Sequence, residues 1–565
     1  MSTDSDHDSD SDNDSGNHSG LGLSRRAFLQ KGLIGSALVT ASAAGLLSCN
    51  GPKSSVRSYT GGIVGANWKS GHRLLRQEHI SPAETEKTGI VIIGGGISGL
   101  SAARELSKKQ FNDFLLLELE EKTGGNAASG ANAVSPYPWG AHYIPIPGED
   151  AVFVRDLFEE LRVIENYDRN GLPIYNEFYL CADPHERLFI NSRWQEGLVP
   201  HWGTSEDDKR QFAEFFGAME VFKKARGSDG RRAFEIPVDH SSQDSGFRKY
   251  DAISMGRYLS DNGWDAAPLR WYINYCCRDD YGCRLDETSA WAGIHYFASR
   301  YGRGANADSP AVLTWPEGIG WIAGKMAAQM RGSIRCNACV LNAESDGNEI
   351  AVDYYDAKKN TVVRVRASAV IYAAPRFTAF RIVKPLREKR PLYADSFEYA
   401  PWMIANVTMK GVPGGTGADL AWDNVSYHSD SLGYIVANHQ DLARFREKTV
   451  LTCYFPLTAS GPAAERQKAL QRSYEEWAAM VINDLSLMHP GIERSIEELN
   501  VWIWGHAMIK PVPGVMWGRA RRGALKPLGK IHFAHSDMSG ISIFEEAQYR
   551  GIMAARAALR DVTNR

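Results

Sequence analysis

The sequence predicts an α/β fold built from two interleaved domains. Three observations carry that expectation. The first is Gly94-Gly95-Gly96-Ile97-Ser98-Gly99, set between the apolar run Gly89–Ile93 and the helix-compatible stretch Leu100–Leu106. The second is length: 565 residues exceed one ordinary core. The third is the return of strand patterns far downstream, at 334–374 and again at 531–537.

The glycine segment has the context of a Rossmann-type dinucleotide fingerprint: strand, glycine turn, helix, strand, acid. The second strand is Phe114-Leu115-Leu116-Leu117, and Glu118 follows it, 19 residues beyond Gly99. Gly94 permits the tight turn. Gly96 lets backbone N–H groups approach a pyrophosphate at the positive helix end. Ser98 lies in the same turn, Gly99 allows close helix–strand packing, and Glu118 can bond ribose hydroxyls.

Residues 117–126 read Leu-Glu-Leu-Glu-Glu-Lys-Thr-Gly-Gly-Asn. This resembles the second flavin motif of the monoamine oxidase-like superfamily, in which an acid precedes a Gly-Gly pair and then usually Arg. Gly124 and Gly125 match the pair, and Asn126 stands where the Arg is expected. Asn126 can donate a hydrogen bond but lacks the charge. The resemblance implies FAD as the cofactor. It also implies an α/β architecture: a Rossmann-type FAD-binding domain with an inserted mixed α+β substrate domain.

Residues 1–23 form an acidic tract with six Asp and no Lys or Arg, and disorder is expected. Residues 24–49 open with Ser24-Arg25-Arg26-Ala27-Phe28-Leu29-Gln30-Lys31, followed by the uncharged stretch Gly32–Ser48. This resembles a twin-arginine export signal and implies the matching export machinery as a partner, with a periplasmic or cell-envelope location. Leu46-Leu47-Ser48-Cys49 resembles a lipoprotein box, with acylation of Cys49 and membrane attachment as one outcome and ordinary cleavage, or none, as the others. Residues 50–87 are expected to be a tether.

The formal net charge is −3. The acidic tract outweighs the three positive charges of the signal, so the body is close to neutral and no basic field suggests nucleic acid binding. Seven cysteines follow Cys49, none with zinc spacing to partner histidines, so no metal is expected. Cys336 and Cys339 form a CxxC in a strand-like segment, where packing or a turn in the cofactor domain is the expected role.

The expected FAD-binding domain comprises 88–150, 312–384 and 501–565, and the substrate domain 151–311 and 385–500. Helices are expected at Ala151–Leu161, Asp207–Arg226 and, as one long element, around Ala463–Leu487. A strand is expected over Ile334–Ala343, with Val340 at the adenine end. Separate strands follow at Glu349–Tyr355, Thr361–Arg366 and Ala369–Ala374, then Trp402–Met409 and Thr449–Phe455. The final flavin motif resembles Ile531–Asp537 plus the helix start at 545–551, giving Asp537 and Ala547 as cofactor contacts. Glu546 and Arg550 depart from that motif.

For catalysis, Trp139-Gly140-Ala141-His142-Tyr143 resembles the family segment beside the flavin ring, so His142 and Tyr143 are candidates. The family Lys near flavin N5 aligns best with Arg381, and Arg is no equivalent of Lys. This implies dehydrogenase behaviour and slow reaction with oxygen. The segment that carries a covalent Cys and a cage Tyr in the family resembles Gly505–Gly514, with His506 and Ala507 at those places. His506 is a candidate flavin tether, with noncovalent FAD the main expectation. The expected function is an exported FAD-dependent oxidoreductase of the amine oxidase superfamily acting on a small molecule. Hydride would pass from a substrate C–H, beside an amine nitrogen, to flavin N5. The alternatives are a desaturase-like enzyme for an apolar substrate, or a flavin-binding accessory protein without turnover.

Overall fold

A computed structural model describes residues 59–76, 81–441 and 447–563. The acidic tract, the twin-arginine segment and Cys49 lie outside the described residues.

The first sheet is centred on strand Glu84–Ile93, which pairs in parallel with Phe114–Leu117 on one side and with Thr361–Tyr372 on the other. Its residues alternate between two cores. Ile90 and Ile92 meet the helical side, while Val91 and Ile93 meet the opposite side. A sheet buried on both faces reads as a continuous apolar run, which is why Gly89–Ile93 was legible.

Helix Ile97–Lys108 follows Gly96 directly and crosses helix Phe544–Thr563. The Ser98 hydroxyl donates to the Ala547 carbonyl at 2.9 Å, tying the first flavin motif to the last.

Several elements differ from expectation. Thr361–Tyr372 is one strand where two were expected. Its first half pairs antiparallel with Glu349–Asp356 and its second half pairs in parallel with Ile531–Phe533, so a change of partner, not a break in the chain, separates the halves. The expected strand over Ile334–Ala343 is divided into Ile334–Arg335 and Ala338–Asp346. Asn337, at φ 60°, makes the corner, a conformation Asn tolerates better than most residues. The expected long helix is two, Pro462–Gln471 and Tyr474–Met488. Extended Arg472 separates them, and Ser473 with Glu476 forms a capping box that starts the second.

Part of the expected tether is built into the fold. Thr60–Gly65 is an edge strand paired in parallel with Ile496–Ile509, helped by the β-branched Ile63 and Val64. That partner strand begins before residue 501 and runs beyond it, so it crosses the expected domain boundary.

The second sheet has eight strands, with Tyr399–Lys410 third in order, between Ile496–Ile509 and Lys448–Pro456. Met403, Ala405 and Val407 pack with Trp477 and Leu485 behind the sheet. Trp402 and Ile404 face the other way, into a cavity. The strand's period of two therefore decides which side chains reach the site. Helices Glu206–Lys224, Ala267–Tyr281 and Ala290–Ala298 share a further core with Phe215, Leu269 and Trp291. No helix among the described residues is long and apolar enough to cross a membrane.

Candidate active site

The two glycine turns meet. Gly94 has φ +103°, and a Cβ on Gly99 would lie 1.9 Å from the Gly94 carbonyl oxygen, so a side chain is excluded there. Gly96 forms a bridge with Gly124, and Gly125 lies beside them. Gly96 is the N-cap of its helix and supplies no side-chain cap, which leaves N–H groups of the first turn available to an anion.

Glu118 closes one end of this floor. Its carboxylate accepts from the Gly95 N–H at 2.6 Å and the Glu120 N–H at 2.8 Å. Burial pushes its pKa up to about 7, with those N–H bonds opposing the shift. The uncapped helix end, the glycine floor and the terminal acid together fit a dinucleotide.

Asn126 does something its sequence position did not reveal. Its side-chain amide donates to the Ala507 carbonyl, tying the glycine turn to strand Ile496–Ile509. Val340 is buried in the sheet core, beside the end of Phe114–Leu117. Asp537 is buried beneath Tyr399. Burial opposes its charge, but His535, the Arg376 N–H and the Tyr399 hydroxyl together hold its pKa below the usual carboxylate value.

Asn126 and Ala507 border a small cavity of about 130 Å³, together with Gly140, His142, Tyr143, Trp402 and Tyr454. The Tyr454 hydroxyl donates to the Gly140 carbonyl at 3.0 Å. The His142 ring lies 4.5 Å from that of Tyr454 and 5.5 Å from that of Trp422. Burial lowers the His142 pKa to about 4, so its ring is neutral at ordinary pH. The Tyr143 hydroxyl donates to Asp279 Oδ2 at 3.1 Å. Burial pushes the Asp279 pKa up to about 7, and neighbouring Asp280 adds to the effect.

A larger chamber of about 430 Å³ continues from this cavity, sharing His142, Tyr143, Asp279, Arg300 and Tyr454 with it. Its far part is lined by Glu186, Tyr275, Trp422 and Asp423.

Two candidate residues stand apart. Arg381 lies exposed on helix Arg376–Ile382, in a separate cleft with Arg73, Arg364 and Arg387. The structure does not bring it to the cavity that holds His142, because the phase of that short helix turns it to solvent. Arg376, on the same helix, points inward and stacks on Phe533 at 3.4 Å. His506 stacks on Phe377 with ring centroids 4.2 Å apart, and burial lowers its pKa to about 4. It does not line the cavity, whereas its neighbour Ala507 does. Cys336 and Cys339 are both free.

The residues missed in the sequence are Glu186, Asp279, Arg300, Asp423 and Tyr454. One signal was present: Arg278-Asp279-Asp280 sets three consecutive charged residues in the aromatic-rich run Trp271–Tyr281. Acids with no periodic reason to be inside a core point to a site.

Residues 92–161 match the NAD(P)-binding Rossmann-like domain family. The L-amino acid dehydrogenase of Synechocystis sp. is 23% identical over 515 residues, which cover 87% of this chain and 99% of that protein. A wild-type putrescine oxidase solved with putrescine bound superposes with a TM-score of 0.61 at 17% identity, covering 84% of this chain and 99% of that one. A fatty acid isomerase from P. acnes reaches 0.57 at 14% identity, covering 83% and 98%. The chain therefore has an α/β fold with a Rossmann-like nucleotide-binding domain and the overall architecture of amine oxidase-type proteins.

Proposed function

We propose that this chain is an FAD-dependent oxidoreductase of the amine oxidase type, and that it removes hydride from a carbon beside an amine nitrogen. One observation carries the reading. A chamber walled by aromatic rings and acids continues from the small cavity that Asn126, Gly140 and Ala507 border, where the glycine turns end.

Gly94, Gly96, Gly99, Gly124, Gly125 and Glu118 would hold FAD, with Ser98 and Ala547 locking the two motifs together. Bound FAD supplies the two-electron acceptor. The protein's residues position the substrate. Neutral His142, with Tyr454 and Trp402, forms an aromatic wall that puts no positive charge against an incoming amine. Asp279 Oδ2, already holding the Tyr143 proton, faces the same space and can accept a hydrogen bond from the substrate nitrogen. An apolar polyene would leave the chamber carboxylates desolvated without a partner, which disfavours the desaturase alternative.

The Arg25-Arg26 segment supports export of the folded holoprotein through the twin-arginine machinery to the periplasm or cell envelope. Cys49 supports lipid attachment there.

The test is anaerobic titration of the holoprotein with amines, amino acids and polyenes, followed by flavin absorbance. Bleaching by amines is the expected result. Bleaching by polyenes alone, or by none of the panel, would remove the amine reading.

A further inference from the structure

Glu186 and Asp423 belong to adjacent parallel strands, Glu186–Ile190 and Asp423–Ser426, and are direct register partners. Two like charges set side by side in a sheet destabilise it. Both side chains line the far part of the chamber. The Asp423 carboxylate accepts from the Tyr275 hydroxyl at 3.1 Å. The Glu186 carboxylate makes no hydrogen bond or ion pair among the described residues, and the residue is exposed where it lines the chamber.

Of the groups nearby, only His185 favours the charge of Glu186. Arg300 is held by both oxygens of Asp280 at 2.7 Å. Lys223 is paired with Glu220 at 2.5 Å. His185 directs Nε2 to the Cys181 carbonyl at 2.7 Å, and His142 is neutral. Burial raises the pKa of Glu186 and of Asp423; Glu186 and Asp279 raise that of Asp423 further, and Glu186 adds to the rise of Asp279. The chamber thus gathers carboxyl groups whose charge is disfavoured until a cation joins them, with Trp422 and Tyr275 as aromatic walls. Carboxylates and aromatic faces together are the chemistry that receives an ammonium or guanidinium group.

We propose that Glu186 and Asp423 form a subsite for a second cationic group of the substrate, distant from the oxidised carbon. Resting on the amine-oxidation reading, this names the substrate class: a diamine, or an amine whose far end carries a guanidinium. A simple monoamine would leave the pair unpartnered. An α-amino acid with an uncharged side chain would offer this end of the chamber nothing cationic.

The experiment compares putrescine and agmatine with n-butylamine on the FAD-loaded protein, by calorimetric titration and by anaerobic flavin bleaching. Putrescine and agmatine are expected to bind about tenfold to hundredfold more tightly than n-butylamine, the range of charge-assisted hydrogen bonds. Glu186→Gln and Asp423→Asn should each reduce that ratio about tenfold, with FAD absorbance showing that each variant is folded. Either variant suffices if the other fails to load FAD. Equal binding of mono- and dications, or a ratio unmoved in the variants, overturns the subsite. Bleaching by n-butylamine without a dication preference would overturn the subsite and leave amine oxidation standing. A dication preference lost in the variants but without bleaching would support the subsite and overturn amine oxidation.

Discussion

Gly99 lies so close to Gly94 that a Cβ on Gly99 would stand 1.9 Å from the Gly94 carbonyl oxygen. Helix Ile97–Lys108 can therefore begin where it does only if residue 99 has no side chain. Gly99→Ala must push the helix off the turn and misplace the N–H groups of its first turn. We expect a loss of about 1–3 kcal/mol in stability and purification without bound flavin. Denaturant titration and the flavin absorbance of the purified variant check this. A yellow, fully stable variant would show that the turn relaxes freely.

Glu118 predicts a pH dependence. Its folded pKa of about 7 lies above the ordinary glutamate value of 4.5. The unfolded carboxyl therefore loses its proton first, and stability falls as pH rises from about 4.5 to about 7. Glu235, Asp279 and Glu545 are also raised to about 7 by burial and share this window. FAD-free protein should melt at a lower temperature at pH 8 than at pH 5. Glu118→Gln should recover part of the loss, on the order of 2 kcal/mol. The same variant should also bind FAD about tenfold or more weakly through the lost charge-assisted bonds to ribose. Melting curves across pH and a flavin titration measure the two effects separately.

Arg381 was expected beside flavin N5, and its exposed position changes the prediction about oxygen. Arg381→Lys should leave the rate of flavin reoxidation and the stability unchanged. Stopped-flow oxidation of the reduced wild type and variant is the measurement. A marked acceleration in the variant would place residue 381 at the flavin after all.

Export is testable without the substrate. Replacing Arg25 and Arg26 with Lys should leave folded, flavin-loaded protein in the cytoplasm, seen by fractionation and flavin absorbance. Cys49→Ala should move the exported protein from the membrane fraction to the soluble one. Unchanged delivery in the first case, or an unchanged membrane fraction in the second, would remove the corresponding proposal.

The sequence alone determined the features whose causes are local. The apolar run Gly89–Ile93, the glycines at 94–99 and the acid at 118 sit within one short stretch. A tight turn, a helix start and a doubly buried strand each impose their own residue types there. The capping box at Ser473 was equally local, yet the helix-favouring residues on both sides of it suggested one continuous helix. Tertiary structure decided what depends on pairing between distant segments. Glu186 lies beside Asp423 because strands far apart in the chain share a sheet and a register, and Asn126 meets Ala507 because the second glycine turn packs against strand Ile496–Ile509. Arg381 leaves the site and Arg376 enters the core through the phase of one short helix. An acid is read as a surface charge until the fold encloses it. The chamber and the substrate class it suggests therefore emerged only when the second sheet closed over helix Ala267–Tyr281.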